Sequence, residues 1–438
     1  MDLEQRPALA PAVNAAPGAP TDAALPAAAA WRGVGLLLFL ATAGYLGRVG
    51  LTVIAPQLMA AFHWSPTQMG GAFSAFLLTY TLLQAPGGWL ADRWTAPRFL
   101  FLLASSWSFC TLATAAVGLW GGAAMAMEIL LALRLAFGAA AAPTYPLCAR
   151  TVASWLPPRQ QGRANGIVLA SIGLGSALAP PLLGGISAAA GWRAALAATA
   201  AIMLAAAFAW RRWAPPPWPR PPAPLPDAAP PAIHPRRPPW RSFAFLCASY
   251  FLQSYLGYIF VFWFYLYLVE VRKLPLMHAA WLTTLPWLST LAAIPLGGLL
   301  SDAAVRRWGT AWGRRLLPMA ALAAASACLW LGARAASLAP AVAALTAATA
   351  LVIGTEAPFW ATASQLSGRR AGAGGGLMNF CGNLGGLLSP VATPWLAARL
   401  GWNSALSFSA LLGLAAAGLW LGVAAGNHSR PPRELINT

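Results

Sequence analysis

Two arginines stand where arginine is least expected. Arg48 falls inside the apolar stretch 33–57 and Arg134 inside 122–147, depths of roughly 22 and 18 Å if both stretches are helical at about 1.5 Å per residue. A guanidinium near the middle of a bilayer is unfavourable by at least roughly 2.5 kcal/mol, so each should face a wet cavity rather than lipid. Its planar fork of donors matches a carboxylate bidentately, which the point charge of a lysine does not. The chemistry indicated is recognition of an anion; the plain alternative is an arginine satisfied by helix carbonyls.

Tyr45, Gln84, Tyr145, Tyr250, Ser254, Tyr258, Trp360, Asn379 and Asn383 are candidates to complete such a site with hydroxyl, amide and ring contacts. Tyr250, Ser254 and Tyr258 follow one another at steps of four, as do Asn379 and Asn383, so each set shares a helix face. Taken singly, a Trp or Tyr in so apolar a chain more often lies against lipid or headgroups. Two acids fall within apolar stretches, Glu128 near the end of one and Glu356 deep in another. A carboxyl group in that second position is a candidate either to load and release a coupling proton or to pair with an intramembrane arginine. The bland reading is a structural glutamate.

The elements that must position these residues are long. The chain has 438 residues, 59% hydrophobic and 9% charged, against about 25% charged in ordinary soluble domains. Spans of about 20 apolar residues are expected at 33–57, 69–91, 98–119, 122–147, 163–187, 193–211, 243–269, 277–301, 315–334, 339–364, 371–398 and 402–425. Twelve spans make an all-α membrane protein. Residues 1–32 form an Ala/Pro-rich tail expected to be disordered, and 426–438 a second tail. Between them, 33–213 and 241–425 are two six-helix halves, joined by 214–240, whose thirteen prolines exclude a helix or strand and make a semi-rigid linker.

Of the 28 Lys and Arg, 21 fall in segments on the N-terminal side of the membrane, 5 on the other and 2 within it. By the positive-inside rule both termini are cytoplasmic. The 28 bases do not form the patches of a nucleic-acid binder. The five cysteines lack paired spacing and read as buried small hydrophobes, the four histidines are scattered, and no phosphate-cradling glycine loop occurs. No metal, cofactor, nucleotide drive or enzymatic constellation is expected.

The halves are repeats. A shift of 210 positions carries Gly88 to Gly298, Asp92 to Asp302, Gly166 to Gly376, Gly175 to Gly385, Pro180 to Pro390, Gly191 to Gly401 and Trp192 to Trp402. Parallel six-helix repeats with a midplane site between them are an architecture of secondary transporters.

Gly87-Gly88-Trp89-Leu90-Ala91-Asp92-Arg93 and its repeat Gly297-Gly298-Leu299-Leu300-Ser301-Asp302, followed by Arg306 and Arg307, resemble the loop signature of the major facilitator superfamily. Thr95 replaces the usual glycine in the first copy. The resemblance implies that Gly88, Asp92, Arg93, Asp302 and Arg306 form a gating lock. Tyr45-Leu46-Gly47-Arg48, Arg134 with Pro143-Thr144-Tyr145-Pro146, Phe264–Arg272, Pro358–Ala361 and Asn379–Gly386 are similar to the anion:cation symporter branch, which implies a sugar acid, aromatic acid or other small carboxylate as cargo.

Where that branch carries an acid before the first-helix arginine and another before the fourth-helix Ala-Pro, this chain has Gly47 and Ala141. Proton symport is therefore not simply inherited. Aligning Ala357-Pro358 with Ala142-Pro143, an offset of 215, sets Glu356 opposite Ala141, as if an acid had moved to the pseudo-symmetric place.

The expectation is a monomeric, multi-pass, rocker-switch carrier of a small organic anion in a bacterial inner membrane, with protons as candidate coupling ions and the lipid bilayer as its surroundings. An exchanger or exporter of amphipathic, drug-like compounds and a non-translocating solute sensor are the alternatives.

Overall fold

The computed structural model describes residues 25–84, 86–87, 96–119, 121–216, 240–367 and 371–424. The first half contains α1 (Ala27–Phe62), α2 (Pro66–Leu82), α3 (Ala96–Ala115), α4 (Ala123–Ala141), α5 (Thr144–Trp155), α6 (Pro158–Leu169) and α7 (Ser171–Trp213). The second contains α8 (Trp240–Phe262), a short turn (Phe264–Leu266) running into a π-helical turn (Tyr267–Val271), α9 (Leu276–Arg334), α10 (Leu338–Gly354), α11 (Glu356–Ser367), α12 (Ala371–Leu400) and α13 (Trp402–Leu419).

Eight helical stretches among the described residues are long and apolar enough to cross a membrane. Two of them, Arg159–Trp213 and Leu276–Arg334, each take in two expected spans and are broken where Gly191 (φ 82°) and Gly309 (φ 72°) leave helical geometry. The expected spans 69–91 and 371–398 correspond to α2, 17 residues long among those described, and to α12. The first helix begins at Ala27 with Ala30 buried, so the last residues of the expected tail are helical. Residues 1–24 lie outside the described part of the chain.

Local sequence explains the ends. Ser65 starts α2 with a capping box, its hydroxyl accepting the Gln68 N–H at 3.2 Å while the Gln68 side chain accepts the Ser65 N–H at 2.8 Å, and Pro66 fills the first position. Proline also explains a matched pair of interruptions. α4 gives way to α5 at Ala142-Pro143, and α10 gives way to α11 at Thr355, next to Ala357-Pro358. A proline ring removes a helix donor and clashes with the preceding turn.

The repeat seen in the sequence is physical. Gly191 and Gly401, 210 positions apart, adopt nearly the same left-handed conformation (φ 82° and 80°), each followed by a Trp that opens the next helix. A β-carbon at Gly175 would sit 2.8 Å from the Thr42 carbonyl oxygen of α1, and one at Gly385 would overlap the Phe251 carbonyl of α8. The same crossing, made by the same missing side chain, is built once in each half. Between halves, α2 packs along α12 and α7 along α9.

The far end of the bundle from the linker is shut by apolar packing. Phe73 of α2 stacks on Phe262 at 4.8 Å and meets Trp263 edge-on at 5.6 Å, and Phe262 through Leu268 are all buried.

Candidate functional site

Arg48 sits on the axis that relates the two halves. Its Nη2 donates to the Tyr258 hydroxyl at 2.8 Å, and Tyr258 is the residue 210 positions on. Equivalent positions of a two-fold repeat can touch only where the symmetry axis passes, so this hydrogen bond marks the centre of the interface. Nη1 donates to the Tyr45 hydroxyl at 3.1 Å, one turn earlier on α1. The guanidinium carbon lies 4.9 Å from the Phe76 centroid and 5.2 Å from those of Tyr45 and Tyr80. The cation is thus held by ring faces and phenol oxygens, with no carboxylate as counter-ion among the described residues.

A small recess opens beside it, lined by Tyr45, Arg48, Phe76, Tyr80, Thr144 and Tyr145 among others. Because each phenol oxygen accepts from Arg48, its own proton stays available to donate. The arrangement offers a positive charge flanked by hydroxyl donors in a dry, aromatic wall, which is the chemistry that receives an organic anion.

Of the residues expected to surround Arg48, Tyr45, Tyr145 and Tyr258 are brought to it or to its recess. Tyr145 also shares a hydrogen bond with Ser171 at 3.1 Å. Gln84 and Asn379 meet instead across the halves, the Asn379 amide donating to the Gln84 oxygen at 2.9 Å. Asn383 is buried with an unpartnered amide nitrogen.

Tyr250 and Ser254 belong to a second cluster. The Tyr250 hydroxyl donates to Glu356 Oε2 at 2.8 Å, the Gln253 amide donates to Oε1 at 3.0 Å, and Ser254 donates to the Gln253 oxygen at 3.2 Å. Trp360 lies one turn beyond Glu356 and rests against Gly375. The three residues at steps of four on α8 therefore connect the two clusters, Tyr258 at the arginine and Tyr250 at the glutamate.

Two expectations are corrected. Arg134 does not reach the recess; it is buried inside the first half, its Nη2 donating weakly to the Arg48 carbonyl oxygen at 3.4 Å. Burial and charge led sequence reasoning to group it with Arg48, but its helix face turns toward α1 and α3. Asp302 pairs with Arg314 at 3.1 Å rather than with Arg306, which is exposed. The kink at Gly309 folds α9 back so that Arg314, not the nearer Arg306, faces the carboxylate. Gly88, Asp92 and Arg93 lie outside the described residues.

Phe76, Tyr80 and Gln253 were not anticipated. The signal was present for Tyr80, which precedes Gln84 by four on the same face, and for Gln253, an amide in the middle of an apolar helix. Phe76 carries no signal in a chain with 18 phenylalanines.

Comparison with known proteins places this geometry. The profile of the Major Facilitator Superfamily matches residues 37–390. The chain belongs to that superfamily and is a multi-pass membrane transporter, not an enzyme. It is 28% identical over 400 residues to a probable sulfoacetate transporter of Cupriavidus necator, covering 84% of this chain and 87% of that one. A hexuronate transporter of Bacillus subtilis is 27% identical, with 84% and 88% covered. A D-galactonate transporter of Escherichia coli is 27% identical, with 90% and 95% covered. Among solved structures, a bacterial homologue of the human lysosomal transporter Spinster superposes with a TM-score of 0.75 at 18% identity, over 93% of this chain and all of that one, which supports the fold.

Proposed function

We propose that the protein is a secondary active transporter of a small organic acid, moved by rocking of the two halves around Arg48. The observation that carries this reading is the contact of Arg48 with its own repeat mate, Tyr258. A charge on the axis, bonded to both halves, lies at the fixed site around which the halves would rock and where a cargo can be held by both. The cargoes for which these relatives are named (sulfoacetate, hexuronate, D-galactonate) are all acids, which agrees with a cation as the binding group. The test is ligand-dependent thermal shift against sugar acids, sulfonates and aromatic acids. A stabilising acid whose effect vanishes in Arg48→Ala supports the reading, and one that stabilises the variant equally rejects it.

The remainder of the proposal concerns drive and setting. Glu356, held by Tyr250 and Gln253 on the path from Tyr258, is the candidate coupling acid. Drive is required, because importing one negative charge against about 100 mV, inside negative, is unfavourable by roughly 2.3 kcal/mol, nearly fiftyfold against accumulation. Twelve spans in two six-helix halves, the 214–240 linker and both termini in the cytoplasm of a bacterial cell, with the protein in its inner membrane, complete the proposal.

A further inference from the structure

We infer that Ser74 and Thr284 mark the fulcrum of the two halves: the line joining their hydroxyls is the axis about which one half turns on the other, and the two side chains are positioning residues that hold it. Resting on the rocking proposed above, this fixes where its axis lies. The Ser74 hydroxyl of α2 donates to the Leu387 carbonyl oxygen of α12 at 2.6 Å. The Thr284 hydroxyl of α9 donates to the Ala177 carbonyl oxygen of α7 at 3.0 Å, with the Ala280 carbonyl of its own helix at 3.3 Å. Thr284 lies 210 positions after Ser74, and Leu387 lies 210 after Ala177. One bond is therefore made twice, once across each seam between the halves. A line joining two equivalent points crosses a two-fold axis at a right angle, and the axis relating parallel repeats stands along the membrane normal. The line thus lies parallel to the membrane, runs from the α2–α12 seam to the α7–α9 seam, and crosses the axis on which Arg48 meets Tyr258.

Packing along both seams changes at these bonds. Toward the end far from the linker, contact is made by missing side chains: a β-carbon at Gly70 of α2 would overlap the Pro390 carbonyl of α12, and one at Gly184 of α7 would lie 2.9 Å from the Ala280 β-carbon of α9. Toward the linker it is made by long ones. The Gln84 and Asn379 amides bridge α2 and α12, and Leu291 reaches from α9 to Gly173 of α7. Each seam is closed at its far end and widens toward the linker, and the hydroxyl sits between. A turn about the line exchanges the closed and widened ends while the two bonds, at almost no radius, stay made. The chemistry suits that place. Pro181 leaves the Ala177 carbonyl without a helix donor, and Thr284 supplies one; the Leu387 carbonyl has a second lone pair for Ser74. A short hydroxyl turning about χ1 can follow its carbonyl through a change of tilt. Gln84 and Asn379 have no such counterpart, since Ile294 and Leu169 stand 210 positions from them. Their bond lies where the turn closes the gap, and it must give way.

The test measures spin-label distances in the full-length protein in lipid nanodiscs, without cargo. Label pairs at Leu78 with Leu388 and at Leu178 with Leu288, all exposed, report on the two seams beside the bonds. Gln68 with Arg399, and Leu82 with Leu377, also exposed, report on the far and linker ends. Gly70→Trp forces the far end apart, because no side chain fits against the Pro390 carbonyl. In that variant the far-end pair should lengthen by about 5 Å or more and the linker-end pair should shorten, while both pairs beside the bonds shift by less than about 2 Å. Adding Ser74→Ala and Thr284→Ala should free the line, so that those two pairs shift or broaden by more than about 3 Å. Pairs beside the bonds that lengthen as much as the far end would put the axis elsewhere. Unchanged distances on adding the two alanines would mean that the hydroxyls do not hold it. Either result overturns the inference and leaves the carrier reading intact. Ends that fail to move in opposite senses would reject rocking itself, and the inference with it.

Discussion

Arg48 and Arg134 share a half of the molecule, a charge and a degree of burial, 8% and 5% exposed, yet they stand in different chemical positions. Arg48 faces the other half and bonds to Tyr258 across the axis. Arg134 faces inward among α1, α3 and α4 and bonds to nothing outside its own half. Their helices explain the difference. α1 lines the interface along the face that carries Tyr45 and Arg48, while the Arg134 guanidinium of α4 is enclosed by the Phe76 and Phe137 rings and by residues of α1 and α3. Depth in the membrane identifies a residue that needs an explanation; position relative to the repeat axis supplies it.

The comparison breaks if the two arginines respond alike. Truncating one member of a buried, hydrogen-bonded charge contact with the cargo costs about 2–5 kcal/mol, so Arg48→Ala should lower cargo affinity by roughly 30-fold to several thousandfold. Arg134→Gln should change it far less than Arg48→Ala does, since that side chain does not line the recess and meets it only through Phe76, Phe137 and the Arg48 backbone. Binding titrations on the same cargo measure both.

Glu356 tests whether the second half contributes drive as the first contributes binding. Glu356→Gln keeps the shape and an acceptor for Tyr250 but cannot exchange a proton. Counterflow of cargo against cargo should persist, while accumulation driven by an imposed pH gradient should fall by about tenfold per pH unit for each proton coupled. Full gradient-driven accumulation in the variant rules out Glu356 as the coupling acid.

The two tyrosines on Arg48 sharpen the contrast between halves. A hydrogen bond to a charged group is worth about 1.5–3 kcal/mol, so Tyr258→Phe and Tyr45→Phe should each weaken binding by roughly tenfold or more. Only Tyr258 belongs to the opposite half. Its loss should also slow maximal exchange, which Tyr45→Phe should leave near the wild-type rate.

Much of this was legible in the sequence. The offset of 210 that pairs Gly191 with Gly401 and Gly175 with Gly385 carried the architecture, because a left-handed turn and a carbonyl in contact with a helix both demand glycine. The candidate site was legible through Arg48, since a cation in an apolar stretch violates a strong rule. What the sequence could not disclose was which helix face meets which. Tyr250 and Tyr258 sit at steps of four, and nothing in that spacing says that one reaches a glutamate 106 positions away and the other an arginine 210 away. The Arg314 partner of Asp302 was hidden for the same reason, because the kink at Gly309 decides it.

That ion pair carries the smallest predicted effect, and the reason closes the comparison of charged contacts. Asp302 is 59% exposed and its partner lies in the same half, on the folded-back end of the same helix. Arg314 also donates to Ser301 at 3.0 Å, so it keeps a partner when the carboxylate is removed. Exposed pairs contribute about 0.2–1 kcal/mol, screened further by salt. Since both members move as one body when the halves rock, the pair cannot oppose that motion in the way that the Arg48–Tyr258 contact does. Asp302→Asn should therefore change the exchange rate by no more than about fivefold and thermal stability by a degree or two, with the difference shrinking at high salt. A larger loss of transport at unchanged stability would show that Asp302 has a partner across the halves in the opposite state, and would assign to it the gating role that its loop motif suggests.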